Sequence, residues 1–481
     1  MTLTRARRKS WSMAGVLFGI LLVPAAPAAA QSVIWARQFG SAGSDPSAGV
    51  AVDAKGNSYV VGWTSGALPG QTSSGGTDAW VRKFNAAGTA LWTQQFGTGG
   101  FAAAIGVAVD GSNVYVAGVT DNTLPGQTNG GGFLDDAFVR KYDSAGTVIW
   151  TRQFGTAGND AALDVAVDGS GNVYVAGDTE TTFPGQVSWG GYDAFLQAFD
   201  SAGTALWTSQ FGSAGFDTAQ GVAVDTNGNA TVVGRTTDAF PGQTFAGGQD
   251  GFVSTFDSAG AVVWTSEFGT AGLDIAYGVA LDASGNAYVA GFTEGALPGQ
   301  ISAGGRDGFV RAYDAAGNVV WTKQFGTGTD DLAAGVTVDA QGNSYVAGST
   351  DGTLPGQSSP GGADAFVRAY DSAGTELWTR QFGGRDLDAA LGVAVDKSAN
   401  AYVAGFTDGA LGGQTSAGGR DAFLAKIGFR PPAVQALIDA ACHRLDGFIE
   451  KIESRSGQIP PRLAASLIAA ANQVKASLDC P

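Results

Sequence analysis

Seven tryptophans, Trp35, Trp92, Trp150, Trp207, Trp264, Trp321 and Trp378, recur at nearly equal intervals of about 57 residues. A fixed period of this length means one supersecondary unit used repeatedly, in a stack or in a circle. The unit from 264 to 320 reads WTSEFGTAGLDIAYGVALDASGNAYVAGFTEGALPGQISAGGRDGFVRAYDAAGNVV. It contains β-type stretches at 278–282, 286–293 and 307–314, with a fourth at 318–325 that carries the next tryptophan. Turns of Gly, Asp and Asn separate them, so each unit reads as one antiparallel, four-stranded blade. One blade cannot bury both of its faces, and the copies must pack on each other.

The ends of the chain predict closure into a ring. The last unit stops at 421–427 without its Trp strand, while residues 33–39 are that strand with no blade in front of it. The expected fold is therefore all-β, a seven-bladed β-propeller at 31–428 whose N-terminal strand completes blade seven. A small helical hairpin at 429–481 follows.

Units such as FGTAGNDAALDVAVDGSGNVYVAGDT, with the pattern Gly-Val-Ala-Val-Asp…Gly-Asn-x-Tyr-Val-Ala-Gly-x-Thr, resemble the bacterial SBBP β-propeller repeat over about 33–428. The resemblance implies a secreted or surface propeller and brings no ligand or activity with it. Other propeller signatures do not fit. Asp200 is followed by Gly203, Thr204 and Trp207, which matches neither sialidase Asp-boxes nor quinoprotein docking motifs.

Residues 1–30 read as a signal peptide: Arg5, Arg7, Arg8 and Lys9, an apolar run from 13 to 23, then Ala28-Ala29-Ala30. Export to the periplasm, cell surface or medium is expected. Without this segment the chain has 23 basic and 43 acidic residues, a net charge of −20 against −16 for the whole. Such a chain repels phosphate backbones, which argues against nucleic acid as a partner, and no other segment is apolar enough to span a bilayer.

In the tail, apolar residues at helical spacing predict two helices parted by Gly457 and Pro460-Pro461. Cys442 and Cys480 are expected to form an intramolecular disulfide in an oxidising compartment. Counting outward from the turn, Cys480 stands farther from Pro461 than Cys442 does from Ser454. That mismatch is about 10 Å along a helix, so closure needs an asymmetric turn or unwinding near Leu478.

One histidine, His443, serves the whole chain, and no HExxH, CxxC, GxSxG or phosphate-loop motif occurs. No cofactor is expected. Two aspartate series recur: Asp78, Asp136, Asp193, Asp250, Asp307, Asp364 and Asp421, and Asp45, Asp160, Asp217, Asp274, Asp331 and Asp388. Carboxylates suit Ca²⁺, yet residues present in every copy more often satisfy loop N–H groups. The repeat tryptophans read as core for the same reason.

Specificity belongs at positions that differ between copies, on the face carrying the longer loops. The Gly-x-Thr position is Trp63, Val119, Asp178, Arg235, Phe292, Ser349 or Phe406. The Gly-Gly-x-Asp position includes Tyr192, Gln249, Arg306 and Arg420, with Phe101, Trp189 and Phe216 in nearby loops. Trp63, Trp189, Tyr192, Arg235, Phe292 and Phe406 are the candidate ligand-binding residues for an extracellular protein or glycan. The alternatives are a carboxylate-dependent glycan hydrolase or lyase, which needs two converging acids, and a passive structural module.

Overall fold

The computed structural model describes residues 31–130, 135–429, 432–454 and 459–477. Among them, twenty-eight strands, β1 to β28 in chain order, form seven four-stranded antiparallel sheets, followed by helices α1 (Pro432–Ser454) and α2 (Pro461–Ser477). Blades 1 to 6 occupy 47–96, 102–154, 160–211, 217–268, 274–325 and 331–382. Blade 7 joins 388–429 to β1 (Gln31–Phe39), which pairs antiparallel with β28 (Asp421–Phe429) from Gln31↔Phe429 to Phe39↔Ala422. The protein is a seven-bladed β-propeller closed by its N-terminal strand.

Each blade pairs its strands in chain order, so the first strand is innermost. The seven innermost strands pack around a central channel of about 560 Å³. Close approach is what limits them to small residues there. A Cβ on Gly106 would lie 2.7 Å from the Asp164 Cα of the next blade. The same place is Gly49, Gly221, Gly278, Gly335 and Gly392 in the other copies, and Asp164 is its one side chain. That carboxylate accepts N–H from Val165 (2.8 Å) and, across the blade boundary, from Val222 (2.9 Å). Burial pushes its pKa up to about 6.

Apolar clusters fill the gaps between neighbouring sheets, each drawing residues from two blades. The repeat tryptophans correct the expectation of simple core residues. Most are partly buried at the outer rim, and in six of the seven the indole N–H reaches a turn carbonyl of the following blade. Trp150 donates to Ser201 O at 3.2 Å and Trp207 to Ser258 O at 3.0 Å, across 51 residues in both cases. Gly203 lies beneath the Trp150 ring with φ +79°, where a Cβ would come within 2.9 Å of the indole. The tryptophan thus staples one blade to the tight turn of the next. Trp378 faces blade 7, where the β1–β28 junction replaces that turn, and meets Tyr345 edge-on at 6.0 Å.

In the tail, Cys442, Ile452, Ala464 and Ala471 are buried, and Lys475 of α2 bonds Asp446 of α1. Cys480 lies outside the described residues, as does the expected signal segment 1–30. No helix among the described residues is long and apolar enough to cross a membrane.

Candidate functional site

One face of the ring carries the loops that lead into the innermost strand and those between the second and third strands. The latter loop occupies 65–77 in blade 1. The former are short, only 155–159 and 212–216, because pairing already starts at the recurring aspartate.

Both aspartate series are buried and bind the loops. In blade 3, Asp193 Oδ2 accepts the Trp189 N–H (3.0 Å) and the Gln210 side-chain amide (2.6 Å). Gln210 also donates to Thr181 O (3.0 Å) and accepts the Phe183 N–H (2.9 Å), so one glutamine pins both ends of the Phe-Pro-Gly-Gln loop. Gln38, Gln95, Gln153, Gln324 and Gln381 occupy the same place and donate to the corresponding aspartates. Blade 4 has Glu267 there. It accepts the Phe240 N–H at 2.9 Å, and its carboxyl lies beside that of Asp250. Burial, with the Asp250 charge adding to it, pushes its pKa up to about 7. In the second series, Asp160 and Asp217 accept the N–H groups of Thr156 and Ser213, each at 2.6 Å. Long loops held this way present side chains from a rigid base.

The variable residues do not converge on one place. Tyr192 and Arg235 meet in a cleft of about 290 Å³ between blades 3 and 4, with Asp178, Phe216, Thr218 and Gln249. Trp63 lines the central channel instead. Trp189 is 47% exposed on the blade 3 loop, outside the cleft lining. Phe292 is only 3% exposed, so the expectation of an accessible ring there is corrected. The Arg306 guanidinium lies 5.1 Å from its centroid and bonds Glu294 at 3.1 Å. Phe406 repeats the arrangement: Arg420 covers it at 3.9 Å and bonds Asp408 at 2.7 Å. These arginines are stacked and neutralised within their own blades.

The cleft differs. Tyr192 and Phe216 stack with centroids 5.8 Å apart and an interplanar angle of 28°. Asn159 fixes the wall by donating to Tyr192 Oη and to Glu180, both at 2.9 Å. Phe216 is 57% exposed, so the wall faces solvent. Opposite it, Arg235 Nη1 donates to Gln249 Oε1 at 3.3 Å. Arg235 makes no ion pair within 4.0 Å among the described residues. Burial pushes the Asp178 carboxyl up to about 6, against the pull of the Thr218 hydroxyl and Arg235.

With that geometry in view, the chain can be set beside known proteins. A profile described as the SBBP beta-propeller repeat matches residues 34–69, 149–184, 206–241 and 320–355. Four copies are SBBP beta-propeller repeats. Each match begins just before an outer-strand tryptophan and crosses into the next blade. The chain is similar to the "Regulatory protein FlaEY" of Caulobacter vibrioides, 29% identical over 84% of this chain and 48% of that protein. It therefore spans about half the length of that relative. Among solved structures, it is similar to the Pan2 WD40 domain of Neurospora crassa, with 10% identity and a TM-score of 0.48 over 84% of this chain and 100% of that one. The polysaccharide lyase Uly1 aligns at 11% identity and TM-score 0.47 over 79% and 90%.

Sequence reasoning noted Asp178, Phe216 and Gln249 as variable without selecting them, and missed Thr218. The missing signal was lateral: Thr218 pairs with Arg235 in blade 4, while Asp178 reaches it from blade 3.

Proposed function

We propose that this propeller is an exported, non-enzymatic binding scaffold that captures a protein or glycan in the cleft between blades 3 and 4. The observation that supports this most is the juxtaposition of the Tyr192–Phe216 stack, on loops held by buried aspartates, with the strand residue Arg235, which has no carboxylate within 4.0 Å among the described residues. Aromatic and arginine anchors on a rigid base are the usual carriers of binding energy. Residues 5–30 support export through their basic, apolar and small-residue order. A glycan hydrolase or lyase working through paired acids needs two carboxyls around the scissile bond, and Asp178 is the one acid lining this cleft. The resemblance to a regulatory protein accords with a recognition role.

A glycan array and a panel of extracellular proteins screened against the exported protein test the reading. Binding is expected, and Phe216→Ala with Tyr192→Ala should weaken it at least 10-fold while the melting temperature holds. A ligand that both variants bind unchanged, or turnover of a glycan, would overturn it.

A further inference from the structure

Resting on the reading of the blade 3–blade 4 cleft as the ligand site, we infer that its occupant is an acidic sugar residue. Its ring would lie against Tyr192 and Phe216, its carboxylate on Arg235, and its hydroxyls against Asp178, Thr218 and Gln249. Four observations meet here. The cleft, at about 290 Å³, holds one sugar residue and not a folded segment. The aromatic pair is exposed through Phe216, at 57%, and an exposed aromatic ring suits the C–H face of a pyranose. The remaining lining is a carboxyl, an amide and the hydroxyls of Thr218 and Thr237, groups that pair with ring hydroxyls in both donor and acceptor directions.

The fourth observation decides the charge. Three arginines occupy the Gly-x-Thr or Gly-Gly-x-Asp positions on this face, Arg235, Arg306 and Arg420. Arg306 and Arg420 are each covered by a carboxylate of their own blade, at 3.1 and 2.7 Å. Of these three, Arg235 is the one with no carboxylate within 4.0 Å among the described residues, and it lines the cleft beside the aromatic wall. Blade 4 also inverts the order found in blades 5 and 7. There the aromatic ring is on the strand and the arginine on the loop, whereas blade 4 puts Arg235 on the strand and Gln249 on the loop. The guanidinium thus has no ring at the matching position of its own hairpin and shares the cleft with Tyr192 and Phe216. A planar guanidinium meets a carboxylate through two parallel N–H bonds, which a neutral sugar cannot reproduce.

The test uses the exported full chain and three probes: a tetrasaccharide alternating glucuronate with N-acetylglucosamine, a neutral N-acetylglucosamine tetrasaccharide, and a peptide with a free C-terminal carboxylate. Calorimetry should show the acidic tetrasaccharide binding at least 10-fold more tightly than the neutral one. Arg235→Gln should remove that preference, and Phe216→Ala should weaken the acidic probe at least 10-fold. Arg306→Gln serves as a control and should leave the affinity unchanged. Equal binding of the acidic and neutral sugars, or a preference that survives Arg235→Gln, overturns the assignment of an acid. If only the peptide binds and Phe216→Ala weakens it, the acidic-sugar inference fails while the cleft stands as the ligand site. No binding by any probe overturns the inference, whereas binding untouched by Phe216→Ala removes the cleft itself.

Discussion

The tight-turn rim and the long-loop face are made from the same repeat, yet they put it to opposite uses. At the rim, six tryptophans reach six turns of the following blade in nearly one geometry, as in the bonds from Trp150, Trp207 and Trp321. On the loop face, the buried Asp–Gln hub is equally regular, but the strand and loop positions above it change from blade to blade. The comparison shows that variation alone does not make a site. Blades 5 and 7 spend their unusual residues on Arg306 over Phe292 and Arg420 over Phe406, which are closed pairs. Between blades 3 and 4, by contrast, the unlike residues leave a cleft.

If the rim holds the ring together, its seam should be the most sensitive place. Deleting residues 31–39 strips blade 7 of its outer strand and exposes an unpaired edge. The expected fall in melting temperature is about 10 °C or more, read by calorimetry; a shift within error would mean that blade 7 is dispensable to closure. Next in size, Trp207→Ala removes a packed ring and a bond to the next blade, and should cost about 3 kcal/mol in denaturant titration. Phe216→Ala on the exposed wall should stay within about 0.5 kcal/mol. Similar costs for the two would erase the distinction between rim and face.

How far the amino-acid order disclosed these regions follows from the range of the contacts. The blades, their number and the shared seventh blade were legible because one period is written seven times over. The Arg306–Phe292 pair was legible in principle, since both partners belong to one hairpin, on the strand and in the loop that follows it. The cleft was not. Asp178 and Arg235 come from different blades, and which variable residues become neighbours depends on the lateral packing of two sheets. The role of the tryptophans was half visible: their regularity implied structure, but their place at the rim and their reach across 51 residues required coordinates.

A smaller effect sharpens the hub. Glu267 stands where six blades have glutamine, and it holds a proton in the folded chain up to about pH 7, against 4.5 ordinarily. Because the native state binds that proton more tightly, stability should be undiminished below pH 4.5 and decline as the pH rises toward 7. Glu267→Gln should therefore melt about 2–4 °C higher than the natural protein at pH 8 and show no gain at pH 4. An unchanged difference between the two pH values would mean that the proton is not held there.

The mildest consequence for the propeller concerns the tail. The Lys475–Asp446 bond ties α2 to α1, and Cys442 is buried one helical turn before Asp446. Mass spectrometry of the exported, non-reduced protein should find one intramolecular Cys442–Cys480 linkage, and two alkylatable thiols would contradict it. Its reduction should leave the melting of the ring nearly unchanged.

The pairing of β1 with β28 also fixes an order of events. Strand β1 has its partner at 421–429, so the rest of the propeller sequence must be made before it can settle. Until then the nascent chain can assemble six complete blades as an arc, with an unmatched sheet edge at one end and a loose ribbon at the other. Closure comes last and all at once, and it depends on a contact between opposite ends of the propeller sequence. A stalled or truncated product would therefore lack the lock as well as the final blade, which makes the complete chain easy for a quality-control protease to tell from an unfinished one.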